Sequence, residues 1–391
     1  MAESVDAAIV GGGIAGASVA YFLARLGVRD ILVLERTGVA AGASGRASGL
    51  VSFLVTGHPL SAALLKASAD FYADWEDQVG GAPALNQVGG VLLASAAERD
   101  SVARDLRVMR DAGHAGRLVE RDELAALVPG WDITDVDCAA YSPFSGYIDP
   151  PMVTTALMNR ARALGVRVYQ GAEATHLTTR GGRATGVMTS RGEIAAPVVV
   201  IAAGAWTAPL LAEVGEAPEI WPERHQVMHF RPPAEMPWPF PVAADVHNSV
   251  YFRPEHGGLV LAANIGPDQR GVKPEDFESG VDVWYGRWIQ EHLARRIPAM
   301  REATVAGGHA GVYLSSADDF PLLGPVGDVE GLYCLCDTAG SGMTSSPGLG
   351  RALAETIVLG KTFVDISPLR PSRFADRQSF AEPYKHSSGL G

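Results

Sequence analysis

Residues 6–35 constrain this chain more than any other stretch. Residues 6–10 end in an apolar run that predicts a buried strand. Gly11-Gly12-Gly13-Ile14-Ala15-Gly16 then fits G-x-G-x-x-G, residues 17–26 predict a helix, residues 31–34 a second strand, and Glu35 closes the unit. In a βαβ unit of this order the helix N-terminus points its free N–H groups at an anion. Gly11 permits the tight turn, Gly13 lets the backbone approach a pyrophosphate, and Gly16 lets the helix pack on the strand. Ile14 and Ala15 place their amides at the same helix end. Glu35 lies 19 residues after Gly16, where a carboxylate accepts ribose hydroxyls, and Arg36 follows it. The segment predicts a Rossmann-type α/β domain that holds a dinucleotide.

Residues 7–24 carry no charge, yet they do not read as a membrane span or secretory signal. Glu3 and Asp6 precede them where a signal would carry Lys or Arg, and three consecutive glycines would interrupt a spanning helix. At 391 residues, 47% hydrophobic and 19% charged, the chain has room for two domains with their own cores. A formal net charge of −12 argues against nucleic acid as a partner, because phosphate binding needs a concentrated basic face. Cys138, Cys334 and Cys336 form no disulfide framework, which fits a cytoplasmic protein. Cys334 and Cys336 lack zinc-site spacing and read as ordinary cysteines on one face of a strand, so no metal is expected.

Beyond the first unit, residues 40–49 form a loop rich in small residues, of the kind that lies against a ligand. Residues 60–78 and 97–112 predict amphipathic helices around a strand at 89–93, and Asp149-Pro150 opens a helix reaching Leu164. Strands follow at 166–170 and 198–202, with a hairpin over 187–194. Residues 226–230, 250–253 and 259–263 have the look of an antiparallel sheet. A strand at 332–336 leads through Gly340-Ser341-Gly342-Met343-Thr344 and Ser346-Pro347 into a helix ending near Gly360. A run of strands between two α/β portions implies an inserted second domain.

Together with Gly146-Tyr147-Ile148-Asp149-Pro150, Ala202-Ala203-Gly204-Ala205-Trp206, Val250-Tyr251-Phe252-Arg253-Pro254 and Asp318-Asp319-Phe320-Pro321-Leu322-Leu323-Gly324, these landmarks resemble one family. It is the FAD-dependent amine and amino-acid oxidoreductases of the D-amino-acid oxidase superfamily, which includes sarcosine oxidase, dimethylglycine dehydrogenase and glycine oxidase. The resemblance runs from about residue 5 to about residue 373. It implies FAD rather than NAD, and a Rossmann-type FAD-binding domain with an inserted, mainly antiparallel β-sheet substrate domain. The FAD-binding domain would comprise residues 1–85, 145–220 and 305–375, the substrate domain 86–144 and 221–304, with a flexible tail at 376–391.

Carried over by position, Gly11, Gly13, Gly16 and Glu35 would hold the pyrophosphate and adenosine ribose, and Ser44, Gly45, Arg46, Ala47 and Ser48 would line the pyrophosphate and flavin. Gly204 and Trp206 would border the cofactor, and Gly340, Gly342, Met343 and Thr344 would face the flavin pyrimidine edge. A helix N-terminus there stabilises the negative charge that reduction puts on the ring. The two positions where relatives attach FAD covalently correspond to Gly311 and Arg46, so the FAD is expected to be non-covalent. Ser341 stands where a histidine is usual, and Val260 and Thr344 where sarcosine oxidases carry lysines for oxygen activation and for the substrate carboxylate. Tyr313 stands where glycine oxidases carry a carboxylate-binding arginine.

The resemblance implies hydride transfer from the C–N bond of a small amine or amino acid to flavin N5, which requires no dedicated base. O2 or another acceptor would reoxidise the flavin. Tyr251 and Arg253, alternate residues of one strand, would share a face toward the substrate, and Tyr313 would lie over the flavin. His225 and His309 read as satisfied core histidines beside apolar strands. Two alternatives stay open: a flavin dehydrogenase of a hydroxy acid or polyol, and the FAD subunit of a hetero-oligomeric dehydrogenase. A homo-oligomer is equally compatible with the sequence.

Overall fold

The computed structural model describes residues 3–380 apart from 55, 83, 267, 337 and 339. Among them, six strands form a sheet in the order Leu322–Pro325, Leu332–Cys336, Val198–Ile201, Ala7–Val10, Ile31–Glu35 and Arg167–Gln170. The last five run parallel, and Leu322–Pro325 pairs antiparallel at the edge. Strands buried on both faces need apolar residues at every position, which is why 7–10 and 198–201 read as continuous hydrophobic runs. On one face Ile9, Val33, Val200 and Leu335 pack against the helices Ile14–Arg25, Pro150–Ala163 and Gly342–Leu359. On the other, Ala8, Leu34, Ile201, Cys334 and Cys336 pack toward a smaller sheet. The two cysteines share that apolar face, and the neighbouring Cys336 thiol together with burial pushes Cys334 well above its ordinary range.

Two glycines set how closely these layers approach. A Cβ on Gly16 would sit 2.0 Å from the Gly11 carbonyl oxygen, so any side chain there would push the first helix off its strand. Gly11 has φ +114° and a Cβ on it would sit 2.2 Å from the Ala202 oxygen. The first helix starts at Ile14, three residues before the sequence pattern suggests, because its opening turn carries no polar periodicity.

The second sheet follows the path Gln269–Arg270, Ile220–Arg231, Leu259–Asn264, Val250–Glu255, Val242–Asp245, Gly90–Ala94, Cys138–Ser142 and Arg117–Glu120. Thr304–Ser316 pairs along the full length of Ile220–Arg231. Its described pairings are antiparallel except Val242–Asp245 with Gly90–Ala94. One face, with Met228, Phe230, Phe252, Val260 and Ala262, packs on the helix Tyr285–Arg296. The opposite face carries Val227, Tyr251, Leu261 and Ala263, with Leu50 packed against them. Val260 therefore points away from the loop that precedes Leu50. A lysine at this position would be buried in an apolar core.

The strand Thr304–Ser316 and the helix Tyr285–Arg296 have no counterpart in the pattern reading. Gly307, Gly308 and Gly311 interrupt the alternation that marks a strand. The last helix begins at Gly342, so Pro347 lies inside it. Proline removes the N–H that would serve the carbonyl four residues earlier, that of Met343, and the buried Tyr72 hydroxyl donates to this oxygen at 2.5 Å instead. Residues 381–391 of the expected tail lie outside the described residues. Phe380 stacks on Phe320 with ring centroids 3.7 Å apart. Among the described residues no helix is long and apolar enough to cross a membrane.

Candidate active site

The glycine turn is organised by two side chains from outside it. Glu35 Oε2 accepts from Gly12 N at 2.8 Å, while Oε1 accepts from Thr37 N at 2.8 Å. Ser44 Oγ accepts from Ile14 N at 2.9 Å. Among the described residues a Cβ on Gly13 would have only Ser44 Oγ within 4 Å, at 3.0 Å, which leaves room beside Gly13 for a bound group. Arg36 stacks over Trp206 at 4.3 Å, and Gly204, with φ +53°, lets the chain turn there after Val198–Ile201. The Trp206 indole N–H donates to Glu275.

The start of the last helix adjoins the start of the first: a Cβ on Gly342 would lie 3.8 Å from Ile14 Cγ2. Met343 and Thr344 are buried, and Thr344 Oγ1 accepts from Ser52 N at 3.3 Å. Two helix N-termini thus converge beside the 43–50 loop, a fit for an anionic dinucleotide and for a ring that gains negative charge on reduction. Gly340 and Ser341 precede this turn, and the Ser341 hydroxyl donates to Thr338 O at 2.6 Å.

The 43–50 loop lies between those helix ends and the second sheet. Ala43–Gly45 is a single 3₁₀ turn, and Gly45 packs so tightly that a Cβ would meet the Ala40 oxygen at 2.1 Å. Arg46 is exposed, and its guanidinium bonds the carbonyls of Ala41 and Gly42. His309 Nε2 lies 3.1 Å from Arg46 O, and a Cβ on Gly311 would come within 2.9 Å of Arg46 Cβ. Arg46 and Gly311 are therefore neighbours, and neither is a cysteine or a histidine. Ala47 and Ser48 continue the loop.

Arg253 Nε donates to Ser48 O at 2.5 Å, Nη1 to Pro254 O at 2.8 Å, and Nη2 to Glu255 Oε2 at 2.7 Å, with the guanidinium 5.0 Å from the Tyr147 ring centroid. Buried and balanced by Glu255, Arg253 clamps the loop to the sheet and does not present a free charge to a substrate. Tyr251, two residues earlier on the same face, meets His225, with Nε2 3.0 Å from the phenolic oxygen and the rings stacked. Burial pushes Tyr251 up to about 12 and pulls His225 down to about 4, so both are neutral across the physiological range. The Tyr313 ring packs edge-on against His225, with centroids 6.1 Å apart. Burial, then the nearby Glu223 carboxylate, raises Tyr313 well above its usual range. His225 is the residue that pattern reading undervalued. Its place near Tyr251 depends on the strands of both residues pairing with Leu259–Asn264 between them, a register that sequence does not show.

A family model described as FAD dependent oxidoreductase matches residues 6–356. The chain is 30% identical over 388 residues to 4-methylaminobutanoate oxidase (formaldehyde-forming) of Paenarthrobacter nicotinovorans, an alignment covering 96% of this chain and 46% of that protein. It is 27% identical over 388 residues to mitochondrial dimethylglycine dehydrogenase of Homo sapiens, covering 95% and 44%. The chain thus spans less than half the length of these curated relatives. The solved structure of L-proline dehydrogenase from P. horikoshii superposes with a TM-score of 0.88 at 22% identity, covering 96% of this chain and 99% of that one, and shows the same fold.

Proposed function

Because the chain belongs to the FAD-dependent oxidoreductase family, with FAD as its cofactor, we propose that it oxidises the C–N bond of a small amine or N-methyl amino acid. The product is an imine that water hydrolyses. Bound FAD supplies a two-electron hydride acceptor. The observation that carries the reading is the neutral Tyr251–His225 pair on the sheet face that meets the cofactor loop. A protonated amine cannot release hydride, and this pair offers a buried route for its proton. Gly11, Gly13, Ile14, Ala15, Gly16, Glu35, Arg36, Ser44 to Ser48, Gly204, Trp206, Gly340, Gly342, Met343 and Thr344 hold the cofactor. Tyr313 walls the pocket beside His225. Non-covalent FAD is supported by Arg46 and Gly311 facing each other without a nucleophilic side chain. The similarity to a dimethylglycine dehydrogenase and a 4-methylaminobutanoate oxidase supports a substrate bearing an N-methyl group.

The deciding experiment mixes FAD-loaded enzyme anaerobically with a panel of amines, N-methyl amino acids and hydroxy acids while following flavin bleaching. Bleaching by an N-methyl amino acid supports the reading, and bleaching by hydroxy acids alone overturns it. Peroxide yield then distinguishes O2 from another electron acceptor.

A further inference from the structure

We propose that Asp268 is the positioning residue that fixes the tautomer of His225, and through it the direction in which Tyr251 passes protons. The inference rests on the amine-oxidising reading for its chemical consequence, but not for its geometry. His225 is half-buried, with its Nδ1 shut off from solvent and, among the described residues, without a hydrogen-bond partner of good geometry. The charged atom that faces Nδ1 is Asp268 Oδ2, 3.9 Å away, on a carboxylate whose side chain is only 7% exposed. Asp268 is locked there from both sides of His225, donating from its own N–H to Arg224 O at 3.1 Å and accepting from Gln226 N at 2.6 Å. A carboxylate bonded to the residues before and after a histidine, and aimed at its orphaned nitrogen, is placed to act on that ring.

The remaining groups facing the imidazole are the Tyr251 and Tyr313 phenols and the backbone of Gly266, whose hydrogen bond to the ring opposes the effect of burial. Behind them lie Arg253 next to Tyr251, Glu223 next to Tyr313, and Arg224 with Asp282 next to Asp268. Burial, opposed by the Gln226 N–H and the Arg224 charge, pushes Asp268 up to about 6, so it is anionic at pH 7.5. A neutral imidazole has one N–H, and a facing carboxylate draws it to Nδ1. Nε2 is then an acceptor for the Tyr251 O–H, and of the phenolic oxygen's two lone pairs one faces the Ser48 hydroxyl while the other is left to take a proton from a substrate ammonium. As the substrate N–H bond breaks, a new O–H bond forms at Tyr251, and the original phenolic proton forms an N–H bond at His225 Nε2. The imidazolium so formed is short-lived, because burial holds His225 down at about 4, and the substrate nitrogen keeps its electron pair. With the opposite tautomer Nε2 donates to Tyr251 and the route is closed.

Nitrogen-15 NMR of histidine-labelled, FAD-loaded enzyme tests the tautomer without any substrate, with the His225 signals assigned by their loss in His225→Gln. At pH 7.5 the wild-type ring is expected to show a protonated Nδ1 and an unprotonated Nε2, and to lose that bias as pH falls through about 6. Asp268→Asn, which keeps an acceptor for Gln226 N–H, is expected to lose the bias at pH 7.5. In anaerobic flavin reduction by a bleaching amine, Asp268→Asn is expected to move the acid limb upward by about one pH unit or more. In a His225→Gln background the same change is expected to move it no further. A protonated Nε2 in the wild-type enzyme overturns the proposal, as does an equal displacement of the limb with and without His225. An Nδ1-protonated ring in an enzyme that no amine reduces would leave the assignment of Asp268 standing and sink the amine reading instead.

Discussion

Replacing Tyr72 with phenylalanine removes the hydroxyl that serves the Met343 carbonyl, the acceptor that Pro347 leaves without its helical N–H. Tyr72 is 3% exposed, and burial holds its phenol above the ordinary range, so it is a donor at every working pH. A buried carbonyl left unpaired costs about 1–3 kcal/mol. Tyr72→Phe is therefore expected to destabilise the FAD-loaded enzyme by about that amount, with the ring contacts to Phe71 and Trp75 retained. Pro347→Ala supplies an N–H in the same turn, so the double variant is expected to recover more than half of the loss, a coupling of about 1–2 kcal/mol. Urea unfolding at fixed saturating FAD measures this, provided the slopes agree among the four proteins. Because Met343 and Thr344 open this helix, Tyr72→Phe is also expected to weaken FAD binding, and Pro347→Ala to restore it. Strict additivity of the two substitutions would refute the assignment of the hydroxyl as the surrogate for the proline N–H.

Glu35→Ala removes the acceptor for Gly12 N and Thr37 N, and is expected to weaken FAD binding about ten- to hundred-fold, from roughly 1.5–3 kcal/mol, with turnover at saturating FAD retained. Titration of apoprotein with FAD, followed by turnover, reads both. Gly13→Val is expected to yield colourless protein, since a branched side chain fills the open space beside Ser44; full flavin content would show the turn is misread. Acid precipitation of wild-type enzyme is expected to release intact FAD into the supernatant, and a yellow pellet would contradict non-covalent binding. Burial depresses His225 from 6.5 to about 4, so the folded state binds fewer protons than the unfolded one between those values. That contribution to stability is complete above about pH 6.5 and is lost as pH falls toward 4, by about 3 kcal/mol, and His225→Gln should flatten this part of a stability-versus-pH curve.

The nucleotide half of the molecule was legible because its signals are local. The spacing of Gly11, Gly13 and Gly16 lies within one short segment, although only Gly16 answers to a contact inside that unit while Gly11 meets Ala202 and Gly13 meets Ser44, and the continuous apolar runs at 7–10 and 198–201 follow from burial on both faces of a parallel sheet. Glu35 is identified by its distance along the chain, although its bond to Gly12 N, which makes it part of the turn, is visible only in the structure. The second sheet was legible as a kind of structure and not as a site. Alternation along one strand says that Tyr251 and Arg253 share a face, but it cannot say which strand lies beside it. The pairing of Ile220–Arg231 with both Leu259–Asn264 and Thr304–Ser316, and of Leu259–Asn264 with Val250–Glu255, brings His225, Tyr251 and Tyr313 together from positions up to 88 residues apart. The same pairing turns Val260 into the core and sets Asp268 against Nδ1 of His225. A period of two fixes only the alternation of faces within each strand. Burial, charge balance and proton direction depend on what the neighbouring strand and loop present, and that was decided by the tertiary fold.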